Sequence, residues 1–400
     1  KKAIVKYNKT EVLNLNMNFL HEGYPKLKLK TKKPTYPVIK KNKLKKYSLI
    51  KKLHKILSSP NIVTKEFVAN QYDHEVQGSS IIKPLQGVGK VFGNTTAIKP
   101  LYDDGKTISL SQSAFPQYSE ADPYKMAACS INTAVKNLVV MGANFKKIAI
   151  LDNFCWCSSD EEGRLYELRK AAEACYDYAV HYNTPFISGK DSMYNDFKGF
   201  NQKNNTIKIS IPPTLLISSI GIVDKINHLT KITPEKNDVI YVLGETHNEL
   251  DKSQYENFFR VKKTNIPKVN ATKSLDLYKR FEKANKKNLF TSALGVDLGG
   301  IGITLIKMSI GSNLGLNINI PKKNKLDINQ FLFSESQSRI VVSIKKNKEN
   351  IFKKIFKNTS FTKIGTCLDN KKIVFNYSSK KYSDTIENFS KSYKSKIKGL

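Results

Sequence analysis

The 400-residue chain is 40% hydrophobic and carries 67 lysines and arginines against 34 aspartates and glutamates, a formal charge of +33. That length and apolar content suit a globular protein of two or three domains with a large core. No run approaches the roughly 18 uninterrupted apolar residues of a membrane helix. Lys1 to Lys9 is basic but lacks the apolar stretch and cleavage site of a signal peptide, so a cytoplasmic setting is expected.

Cys129, Cys155, Cys157, Cys175 and Cys367 are too few and too unevenly spread for a disulfide framework, and are expected to be reduced. The chain opens on Lys rather than Met, so it is expected to be a piece of a longer protein. Its positive charge raises nucleic acid as a partner. Nearly all of that charge is lysine, however, with arginine only at Arg164, Arg169, Arg260, Arg280 and Arg339. Surfaces dedicated to nucleic acid recruit arginine for bidentate contacts, so a coding bias towards Lys, Asn and Ile is preferred and RNA binding is the alternative.

Along the chain, residues 1–75 hold two short strand-like pieces and then the stretch KTKKPTYPVIKKNKLKKYSLIKKLHKIL. This reads as an exposed connector entering an amphipathic helix with Leu49, Ile50, Leu53, Ile56 and Leu57 on one side. From about Gln71, strands alternate with helices, an α/β (α+β) signature. Strands are expected at Val76–Pro84, Thr95–Leu101, Lys147–Leu151, Pro185–Ile187 and Pro213–Val223. One helix has Asp122 and Pro123 as its N-cap and first turn, apolar Ala127, Ile131, Val135 and Leu138, and Gly142 at its end. A second begins with a Ser158/Glu161 capping box and buries Leu165, Leu168, Ala172, Cys175 and Ala179. A turn at 233–238 precedes a fresh strand, Val239–Leu243, and opens another domain. Its landmarks are the Gly-rich helix entry DLGGIGITLIKMSIG (297–311) and a late strand, Arg339–Ile344. The expected division is 1–75 as tail, basic linker and helix, 76–232 as a first α/β domain, 233–385 as a second, and 386–400 as a basic tail. No repeat of roughly 20 to 50 residues is visible.

Four polar clusters can carry chemistry. In Ser188-Gly189-Lys190-Asp191-Ser192-Met193, after the strand TPFI, Gly189 lets backbone N–H groups approach a phosphate. Lys190 offers a point charge there, and Asp191 and Ser192 can hold a metal or anionic oxygens. A plain polar turn is the alternative. Asp152, where a strand runs out in Leu151-Asp152-Asn153, suits a metal or ribose contact, or equally a turn cap. In Tyr72-Asp73-His74-Glu75, His74 is a metal ligand or base, or more simply structural. The run Phe333-Ser334-Glu335-Ser336-Gln337-Ser338-Arg339 suits a phosphorylated sugar or an amide, or a capped turn. Cys155 and Cys157, with no second pair, do not make a zinc site.

Taken in order, LNLNMNFLHEG, SSPNIVTKEFVANQYDHEVQG, GKVFGNTTAIKP, YSEADPYKMAACSINTAVKN, ILDNFCWCS, AAEACYDYAVHYNTPFISGKDSMYNDFKG, ISIPPTLLISSIG, VLGETHNEL and LFSESQSR resemble phosphoribosylformylglycinamidine (FGAR) synthase over about residues 12–390. The resemblance implies an aminoimidazole ribonucleotide synthetase-like fold, an N-terminal α/β domain followed by a C-terminal one. This chain would then be the second half of a tandem duplication, preceded by the tail of the first.

The implied reaction is ATP-dependent conversion of FGAR and glutamine-derived ammonia to the amidine FGAM, ADP and phosphate, with Mg²⁺ neutralising the phosphates. By the same resemblance Asp152, Gly189 and Lys190 contact ATP, Ser192 contacts substrate, and Glu335, Ser336 and Gln337 contact substrate through the duplication. An auxiliary nucleotide–metal site of the family falls on Asn94, Thr133, Asn137, Gly295 and Asp297. Most of its carboxylates are replaced here, so it is expected to bind weakly or stay empty. The catalytic His, the Ser-His-Asn-His loop and a Gly-x-Cys-x-Gly nucleophile elbow do not occur in the chain. It should therefore be inactive alone and need the first half and a glutaminase. A scaffold half without ligand contacts and a lysine-driven RNA binder are the rivals.

Overall fold

The computed structural model describes residues 1–23, 27–36, 47–259, 261, 264–322 and 326–397; part of the lysine-dense connector, 37–46, lies outside them. The chain opens with an antiparallel hairpin, β1 (Lys2–Tyr7) and β2 (Thr10–Asn16), and a short helix, α1 (Met17–Glu22), with no buried residue. Next comes α2 (Leu49–Leu57), which buries Leu49, Leu53, Ile56 and Leu57 at its predicted face. After α3 (Glu66–Ala69) come β3 (Ser80–Ile82), β4 (Leu85–Gln86), β5 (Val91–Phe92) and β6 (Thr95–Ile98). The strands expected at 76–84 and 95–101 thus shrink to three and four residues, because Val76 is exposed and Leu101 lies in a turn.

The first α/β domain continues with β7 (Thr107–Ala114), α4 (Pro116–Ser119), α5 (Pro123–Met141), β8 (Ile148–Cys155), α6 (Glu162–Tyr182), β9 (Phe186–Ser192), β10 (Asp196–Phe200), β11 (Thr206–Ser210) and β12 (Thr214–Val223). A six-stranded sheet runs β3-β6-β7-β12-β8-β9, with β8 and β9 parallel and β9 at the edge. One face is covered by α5, whose ends follow their local signals. Asp122 accepts from the Lys125 amide at 3.0 Å, Pro123 opens the helix, and Gly142 closes it in the left-handed region at φ 109°. On this covered face β7 and β12 present Ser109, Ser111 and Ser219, small hydroxyls that bond neighbouring carbonyls.

α6 departs from expectation twice. It starts at Glu162 without a side-chain cap, because Ser158 is taken by Asp196 of β10. It buries Glu167, Ala171, Ala174, Cys175, Tyr178 and Tyr182, whereas Ala172 is exposed. Tyr178 and Tyr182 carry more apolar area than Leu165 and Ala179, and Glu167 is admitted by pairing with Arg164 at 3.0 Å.

The second α/β domain comprises β13 (Val239–Leu243), α7 (Ala271–Asn285), β14 (Phe290–Gly295), α8 (Gly300–Ser312), β15 (Gly315–Asn319), α9 (Ile328–Phe333), β16 (Ile340–Ile344), α10 (Glu349–Phe356), β17 (Phe361–Leu368), β18 (Lys372–Tyr377), β19 (Lys380–Thr385) and α11 (Ile386–Tyr393). Its seven-stranded sheet has the order β14-β16-β13-β17-β15-β18-β19. One core lies between α5, α6 and one face of this sheet, with Phe281 and Phe352 contributed by α7 and α10, so the two domains share it. The other face is covered by α2, α8, α9 and α11. The segment 386–393 is therefore not a tail: Phe389 and Tyr393 are fully buried, because α11 is amphipathic and packs on α2 and α8. For the same reason α2 belongs with the second domain's core rather than with a free linker.

Candidate functional site

The sequence places Asp152 at a strand tip and 188–193 in a loop. In the structure both are strand. β8 runs on to Cys155 and β9 to Ser192, because the parallel ladder Asp152↔Gly189, Asn153↔Lys190, Phe154↔Asp191, Cys155↔Ser192 satisfies their backbone groups. Side chains alternate across a sheet, so this ladder divides the expected site. Asp152, Gly189 and Asp191 lie on the helix-covered face with Phe154. Lys190 and Ser192 lie on the other face, with the Lys190 ammonium donating to the Ser192 hydroxyl. A ligand touching both sets has to wrap the edge strand, which is exposed from Ile187 to Asp191.

Gly189 has a structural duty that its residue type alone does not reveal. A Cβ there would lie 2.5 Å from Asp152 Oδ1, so only glycine leaves room for the carboxylate. Burial, reinforced by the neighbouring Asp191 carboxyl, holds the Asp152 carboxyl above its ordinary range. Two carboxyls meeting at a half-open edge fit a share of one Mg²⁺, which normally takes one or two carboxylates and completes its shell with phosphate and water. Among the described residues no group of three or more His, Cys, Asp or Glu side chains is placed to hold a metal alone.

The Glu335–Gln337 run is placed elsewhere. Glu335 is buried and both its oxygens are committed: Oε2 accepts from Tyr118 Oη at 2.6 Å, and Oε1 from the amides of Gln254 at 2.9 Å and Gly299 at 2.8 Å. Burial pushes its carboxyl up to about 7 against those three bonds. Ser336 is buried and accepts from the His247 amide at 3.0 Å. Expected as substrate contacts, these two form a knot joining α4 to the loops of the second domain, their side-chain oxygens all partnered within the protein. Gln337 stays half-exposed. Its Oε1 accepts from Asn132 Nδ2 at 3.1 Å and Thr133 Oγ1 at 2.9 Å.

Where the auxiliary site was expected, Asn94, Asn137 and Gly295 surround a space of about 10 Å³, enough for one water at most. Asn94 donates to the Gly295 carbonyl at 3.4 Å, Thr133 is bonded to Gln337, and Asp297 accepts from the Leu298 amide at 2.9 Å. Sequence reasoning missed Lys136. It is fully buried, its ammonium donates to the Val296 carbonyl at 2.5 Å, and burial lowers it to about 8 although Asp297 pulls the other way. Its one signal was a lysine among the buried positions of α5, beside Asn132, Thr133 and Asn137. A Cβ on Gly295 would meet Lys136 Cε at 2.8 Å and Asn137 Oδ1 at 2.6 Å. Lys136 and Asn137 thus lie where they do only because position 295 has no side chain.

His74 takes the structural role, its Nε2 2.9 Å from the Ala69 carbonyl. All five cysteines are free. Among the described residues no helix is long and apolar enough to cross a membrane.

A mixed six-stranded sheet and a seven-stranded sheet packed through shared helices, with a carboxylate–glycine pair on the edge, define the class. The family models for AIR synthase related protein match it in two parts, the N-terminal domain at residues 93–212 and the C-terminal domain at 237–378. The chain belongs to the AIR synthase-like superfamily that includes FGAR synthase. Among its relatives is the phosphoribosylformylglycinamidine synthase subunit PurL of Methanocaldococcus jannaschii, 28% identical over 320 residues, covering 78% of this chain and 42% of that protein. The same subunit of Thermococcus sibiricus is 29% identical, covering 88% and 47% respectively. The chain spans about half the length of the curated relatives it matches. Among solved structures, Thermotoga maritima PurL complexed with FGAR superimposes with a TM-score of 0.65 at 15% identity over 86% of this chain and 54% of that one. PurL of that organism complexed with ATP gives 0.58, also at 15% identity, over 73% and 46%. At that identity the likeness concerns the fold.

Proposed function

We propose that this chain is the second half of an FGAR synthase core, contributing one side of an ATP-dependent amidine-forming site that a first half completes and a glutaminase supplies with ammonia, in the cytoplasm. The observation that carries it is the open face of the six-stranded sheet. Ile98, Leu110 and Ile187 on that face are 37%, 46% and 59% exposed, beside half-buried Leu216, Ile220 and Ile222. An apolar sheet face of this extent calls for a partner. Lys190 and Ser192 stand at its border, where a covering sheet would close a pocket over the edge strand.

A second observation supports the missing half. The opening unit β1-β2-α1 repeats the closing unit β18-β19-α11. KAIVKY is matched by KIVFNY, the turns have Asn8 at φ 52° and Ser378 at φ 54°, and each helix follows its hairpin directly behind a polar cap, Asn16 or Thr385. In the closing copy Phe375 and Phe389 are fully buried. In the opening copy Val5 is 52% and Leu20 47% exposed, as expected of the closing unit of another such domain.

Within this site Lys190 neutralises phosphate charge, Ser192 donates to the substrate, and Asp152, oriented by the space at Gly189, orders the nucleotide end. ATP supplies the phosphoryl group that activates the amide oxygen, and Mg²⁺, held mainly by the first half with a share from Asp152 and Asp191, offsets its charge. The test is co-expression with a first-half chain, feeding ammonia directly, and measuring FGAM and ADP. Turnover that needs both chains and falls with Asp152→Asn and with Ser192→Ala supports the proposal. Unchanged turnover in both variants would leave this half as scaffold.

A further inference from the structure

The edge strand β9 does not run straight into the hairpin that follows it. Beyond the Cys155↔Ser192 pair, the Trp156 amide donates to the Ser192 carbonyl at 2.8 Å. The Trp156 carbonyl, however, accepts from the Asn195 amide at 2.9 Å, where an evenly spaced parallel ladder would bring the amide of Tyr194. One extra residue is therefore taken up between the two bonds, a bulge at the end of the edge strand. Its surroundings fix it. The Asn195 side chain donates to the Ser192 carbonyl at 2.9 Å, the Asp196 amide donates to the Tyr194 carbonyl at 2.8 Å, and Met193 packs against the core shared by the two domains.

Tyr194 bears the strain of that bulge. Its φ is 59°, in the left-handed region that a bulky side chain seldom enters. Of the eleven non-glycine residues with positive φ among the described residues, six are asparagines and Tyr194 is the one aromatic. Burial does not account for it, because Tyr194 is 56% exposed, and among the described residues its hydroxyl has no hydrogen-bond partner and its ring no aromatic neighbour. Strained residues held by their surroundings cluster where ligands are gripped, and bulges re-aim a side chain beside such places. Two residues span at most about 7 Å, so Tyr194 stands within side-chain reach of a ligand held by Ser192.

We propose that Tyr194 is a further substrate-contacting residue of the edge-strand site, set by the bulge against the part of the substrate that Ser192 holds. The inference rests on the reading of Ser192 as a substrate contact and adds a residue that no motif singled out. FGAR offers a planar amide, against which an aromatic ring packs and to which a phenol hydroxyl hydrogen-bonds. The role is one of grip and orientation, so it falls on substrate affinity rather than on the phosphoryl-transfer step.

Melting of the chain and kinetics of the enzyme reassembled from both halves test it, with Tyr194→Asn and Tyr194→Phe beside Ser192→Ala. Asparagine suits the left-handed conformation, so Tyr194→Asn should melt at or above the parent's temperature. It should nevertheless raise the KM for FGAR roughly tenfold or more, the loss of one good contact, with kcat and the KM for ATP little changed. Tyr194→Phe, which keeps the ring, should retain part of that affinity. An asparagine variant that melts below the parent would make the tyrosine a packing residue and overturn the proposal. So would an unchanged KM for FGAR while Ser192→Ala loses turnover, and full turnover in Ser192→Ala would remove the underlying site as well. Weaker association of Tyr194→Asn with the first-half chain at unchanged KM, read by sedimentation, would overturn it too and put the tyrosine in the interface between the halves.

Discussion

Asp152 and Gly189 face one another across the parallel strands β8 and β9, so close that a methyl group on Gly189 would stand 2.5 Å from the Asp152 carboxylate oxygen. Gly189→Ala is therefore expected to swing that carboxylate away while leaving the edge strand paired. In the reassembled enzyme this should lower turnover by about a hundredfold, the usual consequence of displacing a positioning group by an ångström. Steady-state kinetics beside a thermal melt would check it. Loss of fold rather than of turnover would count against the positioning role.

Asp152 also makes a prediction about pH. Its folded-state carboxyl is raised, chiefly by burial and then by Asp191. A raised acid favours the protonated folded form, so its contribution is present in full below the ordinary aspartate range and is lost as pH climbs through the raised value. Asp152→Asn should consequently be at least as stable as the parent at neutral pH, with a flatter stability profile through the acid range, while losing turnover. Denaturant melts across that range would show it. A less stable variant at pH 7 would mean that the carboxylate is a structural partner.

At the domain joint, Glu335 is raised to about 7 by burial. The sign is the same: its stabilising share is complete below the ordinary glutamate range and fades as pH rises towards and past about 7. Glu335→Gln removes the charge and can keep a carbonyl oxygen on the two backbone amides, but it sets an NH2 donor against the Tyr118 hydroxyl that now donates to Oε2. It should cost about 1–3 kcal/mol at mildly acidic pH, and less at pH 8, where the parent itself bears a buried charge. Urea unfolding at both values is the measurement, and an equal loss at the two would argue against a titrating glutamate.

Gly295 and Lys136 should behave as a coupled pair. Gly295→Ala forces a Cβ to 2.8 Å from Lys136 Cε and should destabilise by about 1–3 kcal/mol. Adding Lys136→Met, whose shorter side chain can retreat, should recover part of that loss, leaving a coupling of about 0.5 kcal/mol or more in a double-mutant cycle. Strict additivity would show that the two positions do not share this space.

Much of the fold was legible because its signals are local. The Asp122 cap, Pro123 and the left-handed Gly142 bound α5 by near-neighbour chemistry, and the apolar spacing of Leu49, Leu53, Ile56 and Leu57 marks the buried stripe of α2. β7 escaped notice because its buried positions are Thr107, Ser109, Ser111 and Ser113 and its Leu110 faces the open side, the reverse of the usual alternation. That inversion makes sense only when α5 lies close on one face and a partner is expected on the other.

Taken alone, then, the order of residues determined the superfamily, the approximate places of α2, α5, α6 and α8 and of fewer than half of the strands, and the residue types from which a nucleotide site can be built. The tertiary structure decided that Asp152 and Lys190 lie on opposite faces of one sheet, that Glu335 is enclosed within a joint, and that Lys136 fills the space beside Gly295. The division has a physical reason. Caps and periodic stripes are read between residues a few positions apart, whereas strand register, burial of a charge and the fit of a side chain against a glycine depend on segments brought together from far along the chain.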